Sequence, residues 1–152
     1  MKIIQITTFA IASLLTAASL SAHCQVPCGI YGDELKFDQL EQHIETITKS
    51  GKLVRELSAK DELSAQDHQQ LVRWTNNKEA HAQKIIDEAA NYFLAQRIKP
   101  DAEHYAEKVE LLHHIIVFSM KSKQSVESKP VETLGEKVAA FKAIYLDHGH
   151  SH

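Results

Sequence analysis

From Asp33 to Leu146 apolar residues recur three and four positions apart, and the helix breakers in that span are Gly51, Pro100, Pro130 and Gly135 alone. Apolar positions three and four apart share one face of an α-helix, whereas a half-buried strand needs strict alternation, so the span reads as helix. A first helix is expected from about Glu34 to Ser50, with Leu35, Phe37, Leu40, Ile44 and Ile47 inward. Gly51 reads as a break, with residues 52–60 continuing after a kink. Ser64 is placed to cap a second helix, Asp67 suits the positive end of its dipole, and the helix runs to about Ile98. Its inward stripe is Leu71, Trp74, Ile85, Ile86, Ala89, Phe93 and Leu94. Pro100, Asp101 and Glu103 open a third helix that ends near Lys121, and residues 121–129 read as a solvated connector. Pro130 opens a fourth, with Leu134, Val138, Phe141 and Tyr145 inward. The expectation is an all-α fold, an up-and-down four-helix bundle over residues 32–146.

Residues 1–22 have a different composition. Lys2 is the one charge, and the uncharged run from Ile3 to Ala22 ends in small residues, which is the order of a secretory leader. The run is also about the roughly 20 residues that a bilayer span needs. Against an anchor stand Thr7, Thr8, Ser13, Thr16, Ser19 and Ser21, and an ending in Ser-Leu-Ser-Ala in place of a basic stop. The leader is therefore expected to be removed by a processing peptidase, leaving a periplasmic or secreted protein with no stable membrane association. A cut after Ala22 leaves Leu20 three residues before the bond; a cut after Ser21 fits the small-x-small pattern better.

What remains, about 130 residues, suffices for one core. With 17 basic and 20 acidic side chains, a net charge of −3 and no basic stripe, the chain offers nothing to a nucleic acid. Its two cysteines, Cys24 and Cys28, lie at the front of the mature part. A disulfide scaffold is excluded, although a single Cys24–Cys28 bridge closing a small loop stays open.

Cleavage after Ala22 would make His23 the first residue of residues 23–31, His-Cys-Gln-Val-Pro-Cys-Gly-Ile-Tyr. A free amine, an imidazole, a backbone amide and two thiols then fall within six residues. Planar nitrogen and sulfur ligation of this kind suits Ni(II) or Cu(II) better than tetrahedral zinc. The His23 amine and Cys24 amide nitrogens can close one chelate ring, the Cys24 sulfur a second, and Cys28 fills the fourth corner. Pro27 fixes its own φ and part-shapes the loop, and Gly29 permits a sharp turn after the last ligand. Anionic thiolate and amidate donors favour a higher oxidation state, bringing a one-electron Ni(II)/Ni(III) couple within reach.

The pattern His23-Cys24-x-x-Pro27-Cys28-Gly29-x-Tyr31 resembles the nickel hook of nickel-containing superoxide dismutases. The likeness continues through Arg73-Trp74-Thr-Asn-Asn-Lys78-Glu79-Ala-His81, Tyr92-Phe93-Leu-Ala-Gln-Arg97-Ile-Lys-Pro100 and Met120-Lys-Ser-Lys-Gln124, so that it covers most of residues 23–146. The resemblance implies a four-helix-bundle subunit of a homohexamer, one nickel ion per subunit, and disproportionation of superoxide to dioxygen and hydrogen peroxide. It implies ligation by His23 through amine and ring, by Cys24 through amide and sulfur, and by Cys28 through sulfur, with Tyr31 beside the open face. Such sites also orient the axial imidazole through a carboxylate and a basic side chain. Asp38 and Glu41 are the candidate carboxylates, and His81 stands where some members carry a basic residue.

Ten histidines invite other metal readings. His43, His68, His81 and His104 read as helix-surface residues, and His113 and His114 as core or interface residues. The tail over residues 147–152 reads as a flexible end whose His148, His150 and His152 could capture a metal ion. Two other function classes share these residues. An extracytoplasmic nickel or copper carrier predicts exchangeable metal and no turnover; a thiol redox module predicts a reversible Cys24–Cys28 disulfide and activity without metal.

Overall fold

The computed structural model describes residues 33–147, and all of its regular structure is helical. Helix α1 spans Glu34–Ser58, α2 spans Ala65–Asp87 and runs on as a π-helical segment Glu88–Arg97, α3 spans Tyr105–Gln124, and α4 spans Ser128–Leu146. Each helix packs on the next, and α1 also packs on α4, which closes the four into a bundle. Among the described residues no helix is long and apolar enough to cross a membrane.

The inward stripes follow the sequence except at Leu35, Trp74, Leu71 and Ile86, of which Leu71 and Ile86 are half-buried and outside the core. Phe37, Leu40, Ile47, Ile85, Ala89, Phe93, Leu134, Val138 and Phe141 are buried, and Ile44, Leu94 and Tyr145 pack against them. Leu35, expected inward, is 41% exposed, because it sits in the first turn of α1 next to the buried Lys36 and Phe37. Trp74 lies outside the core, half-buried, with Lys49 Nζ 5.6 Å and the Arg73 guanidinium carbon 5.8 Å from its ring centre. An indole between two cations satisfies its ring face without leaving the surface.

The predicted cap of α2 is present. Ser64 Oγ accepts from the Asp67 backbone N–H at 3.1 Å while Asp67 Oδ2 accepts from the Ser64 N–H at 3.0 Å, a reciprocal capping box. Lys60 donates to Asp67 at 2.5 Å, and that bond, followed by those from Ser64, pulls the Asp67 carboxyl down to about 2.

Three boundaries differ from the expectation. No break occurs at Gly51: α1 runs through it, and the glycine is buried where the backbone of Val126 approaches. Glycine in a helix interior costs only about 1 kcal/mol, which packing along both flanking stretches outweighs. The third helix opens at Tyr105, after a turn in which the Ala102 N–H bonds to the Lys99 carbonyl at 3.0 Å. His104, at φ 54° and ψ 29°, reverses the chain into it. The connector between α3 and α4 is three residues, 125–127, because α3 runs to Gln124 and α4 starts at Ser128. Pro130 therefore lies in the first turn of α4, where its missing N–H has no intrahelical partner to lose.

Candidate metal centre

The predicted ligands His23, Cys24 and Cys28, and Tyr31 beside them, lie outside the described residues, as do residues 1–22 and the tail histidines. The structure describes the ground from which the hook leaves: Asp33, two residues after Tyr31, is the residue that precedes α1.

Asp33 is 2% exposed. Its side chain does not cap α1; it turns into the bundle instead. The Tyr145 hydroxyl, from the last turn of α4, donates to Oδ2 at 2.6 Å. Tyr92 donates its hydroxyl to Oδ1, and the Arg97 Nη2 donates to the same oxygen at 2.8 Å. Arg97 also donates to the Tyr92 hydroxyl, from Nη2 at 3.0 Å and from Nε at 3.3 Å. One carboxylate thus gathers donors from the π-helical segment and from α4 at the start of α1.

The π winding makes this convergence possible. In an α-helix residues five apart point about 140° away from one another. A π-helix closes its bonds between residues five apart, and the Ile98 N–H to Phe93 carbonyl bond at 3.0 Å has that spacing. Tyr92 and Arg97 are also five apart, and the wider turn brings both onto the side that faces Asp33. Beneath them Phe37, Phe93, Phe141 and Tyr145 form an aromatic floor, with ring centres 5.2 Å apart for Phe37 and Phe93 and 5.0 Å for Phe93 and Phe141.

The electrostatics of the cluster are consistent with an ionised Asp33. Burial pushes its carboxyl up, but donation from Tyr145, Tyr92 and Arg97 outweighs burial and holds it below the usual carboxylate range. Burial and then the neighbouring carboxylate push both tyrosines up, so each keeps its proton and donates it. Lys36 lies next to this group, 2.5 Å from Glu88 Oε1 and 4.6 Å from the centre of the Tyr92 ring.

The histidines divide. His68 and His104 are exposed as expected. His43 and His81, expected on the helix surface, are half-buried and face one another across α1 and α2 with their Nδ1 atoms 3.1 Å apart. At that contact one nitrogen donates and the other accepts, so the pair carries one proton on the shared line. Burial, and then the partner's charge and Lys84, lower His43; burial, then Lys84, lowers His81. His43 borders a hollow of about 240 Å³ whose other lining residues are Gln39, Leu40, Lys84, Asp87 and Glu88. His113 is exposed, and His114 is half-buried with a buried Nδ1 that finds no protein partner among the described residues. Among the described residues no group of three or more His, Cys, Asp or Glu side chains could hold a metal ion.

The two candidate carboxylates stand apart from both clusters. Asp38 and Glu41 are on the exposed face of α1, and Glu41 is taken up by Lys142 at 2.7 Å. The carboxylate that the structure does bury at this end is Asp33. Sequence periodicity could not find it, since its partners lie 59, 64 and 112 residues away. Its one local signal is an acidic residue between Tyr31 and the first apolar repeat.

Among known proteins, the family model described as nickel-containing superoxide dismutase matches residues 18–148, spanning the hook sequence and all four helices. No curated protein and no solved structure matches the chain. Nothing found supports the carrier reading. The bundle, and the match that extends from it through the hook to residue 18, place this chain in the nickel-containing superoxide dismutase family, and it is a nickel-dependent oxidoreductase that disproportionates superoxide.

Proposed function

We propose that the nickel ion of each subunit is held by His23, Cys24 and Cys28 after removal of residues 1–22, with Tyr31 beside the open face. The carrying observation is that the family match includes the hook sequence together with the whole bundle. The donor set would fit the ion: two thiolates, an amide and an amine, with the imidazole as a further donor, would suit nickel and favour the higher oxidation state that one-electron chemistry needs. The absence of a three-ligand group among the described residues leaves the bundle with no rival site there. Bound at the hook, nickel supplies the one-electron exchange with superoxide. The chain's own part is to present the donors, keep the thiols from peroxide and order the small anion at Tyr31.

The leader supports export to the periplasm or the exterior, and a processing peptidase is then required to expose the His23 amine. A homohexamer is the assembly that the family resemblance supports, with neighbouring subunits helping to order each hook. N-terminal sequencing of the active protein tests the site directly, with His23 expected as the first residue; active enzyme that retains Ala22 would remove the amine from the ligand set. Cys24→Ser and Cys28→Ser are each expected to abolish nickel-dependent superoxide consumption while circular dichroism shows the helices intact. Activity retained in either variant would sink the assignment.

A further inference from the structure

We propose that Asp33 and Tyr145 are positioning residues for the nickel hook: their hydrogen bond, braced by Tyr92 and Arg97, fixes the point at which residues 23–31 leave the bundle. The inference rests on the hook being the nickel site and goes beyond it by assigning a role to the C-terminal helix.

Proximity along the chain comes first. At no more than about 3.6 Å per residue, Tyr31 lies within about 7 Å and Cys28 within about 18 Å of Asp33. Whatever holds Asp33 therefore limits where the last ligand can stand. The second argument is that this carboxylate does not cap the helix it precedes. It leaves the first backbone N–H groups of α1 without a side-chain cap. A buried ion of this kind gives little net stability, because its desolvation cancels much of the attraction; its best-attested use is to select one arrangement among several. Third, the donors reach Asp33 from two directions. Tyr145 holds Oδ2, whereas Tyr92 and Arg97 hold Oδ1. With both oxygens engaged from separate elements, the carboxylate can neither rotate nor shift without breaking a bond. The donors themselves cannot retreat: Tyr92 is 1% exposed, and Tyr145 packs its ring 5.4 Å from both Phe93 and Phe141.

The test uses the processed, nickel-loaded protein and compares Asp33→Asn and Tyr145→Phe with Val138→Ala. Val138 is buried on the same helix as Tyr145, so its truncation lowers stability without touching the Asp33 bonds. Hydrogen exchange of the backbone N–H groups of residues 25, 26 and 28–31, nickel content, and kcat separately from KM are measured on each. Asp33→Asn and Tyr145→Phe are expected to keep their helicity and one nickel per subunit. Their hook amides should exchange about tenfold faster or more, and kcat should fall about tenfold or more at unchanged KM, the scale expected when a reacting group is misplaced by a fraction of an ångström. Val138→Ala should move the unfolding midpoint and neither of these. Should Asp33→Asn fail to fold, Tyr145→Phe, which removes a single hydroxyl, carries the comparison. Wild-type hook exchange and kcat in the variants that fold would overturn the proposal, as would equal changes in Val138→Ala. Cys28→Ser separates the two levels. If it still binds nickel, the hook assignment has failed; if it loses nickel while the Asp33 and Tyr145 variants behave as wild type, only the positioning role has.

Discussion

The two ends of the bundle solve the same problem with opposite charges. At the end where the hook leaves, a buried carboxylate, Asp33, collects side-chain donors from the π-helical segment and α4. At the other end a buried cation, Lys78, gives its ammonium to the backbone carbonyls of Ser122 and Lys123, each at 2.6 Å. Those carbonyls belong to the last turn of α3, where no intrahelical N–H reaches them and the helix dipole favours a positive group. Arg55 likewise donates to the Val126 carbonyl in the connector that follows. The cationic end thus ties helices to the α3–α4 turn through long cationic side chains that bond backbone carbonyls. The anionic end ties side chains to side chains around a residue two positions after Tyr31. Breaking the first should cost stability and spare the metal, and breaking the second should do more harm to the metal site than to the fold.

The largest stability effect is expected at the cationic end. Lys78 is 3% exposed, so burial pushes its ammonium below the usual lysine range while Glu79 opposes the shift. Lys78→Met keeps the length of the chain and removes the donor. A buried and a part-buried carbonyl then lose this donor, which should lower the unfolding free energy by about 2 kcal/mol. Chemical denaturation reads that loss, and elemental analysis should still find one nickel per subunit. A Lys78→Met protein of normal stability but depleted in nickel would invert the comparison.

A smaller effect should come from the His43–His81 pair, which bridges α1 and α2 between the two ends. Both rings titrate below their ordinary value of 6.5. A histidine whose folded value is depressed is charged more readily in the unfolded chain, so stability is highest above pH 6.5 and falls as acid is added below it. Lys84 adds to the penalty, and Asp87 and Glu88 line the same hollow. His81→Gln should therefore flatten the stability profile between about pH 6.5 and pH 5, by less than the loss at Lys78. Asp33 has the opposite origin and a separate window. Its lowered carboxyl contributes stability that is present above 3.8 and lost as the pH falls through the folded value. A profile for His81→Gln that still falls as steeply as wild type below pH 6.5 would remove the pair as the source of acid sensitivity.

The bundle was legible because burial in it is periodic and local. The stripe Phe37, Leu40, Ile47 and the cap Ser64 with Asp67 can each be read within one or two helical turns. The hook motif was legible for a similar reason, since its donors are packed into six consecutive residues. What escaped depends on distance or on winding. Asp33 meets partners from the far half of the chain, and nothing in its neighbourhood announces them. The π-helical turn that aligns Tyr92 with Arg97 leaves the apolar pattern of Ala89 and Phe93 intact, so a reading at 3.6 residues per turn passes over it. His43 and His81 looked like surface residues because each helix taken alone is amphipathic in the ordinary way. Only the packing of α1 on α2 makes them neighbours.

Gly51 offers the finest adjustment to the comparison, because it sits at the cationic end and carries no charge. Its place in the middle of α1 is helical, and a Cβ there would lie 3.5 Å from the Val126 carbonyl oxygen and 3.6 Å from Arg55 Nη1, both ordinary contacts. No clash opposes a side chain, so alanine should gain the helix propensity and lower unfolded-state entropy that glycine forgoes. Gly51→Ala is expected to stabilise the protein by about 0.5–1 kcal/mol, read as a later denaturation midpoint with unchanged nickel content and activity. The sign is the informative part. If alanine destabilises, the connector at Val126 has less room than the contact distances show, and the glycine is there to admit the Arg55 bond to that carbonyl. The cationic end would then depend on a close approach of two backbones as well as on its buried lysine.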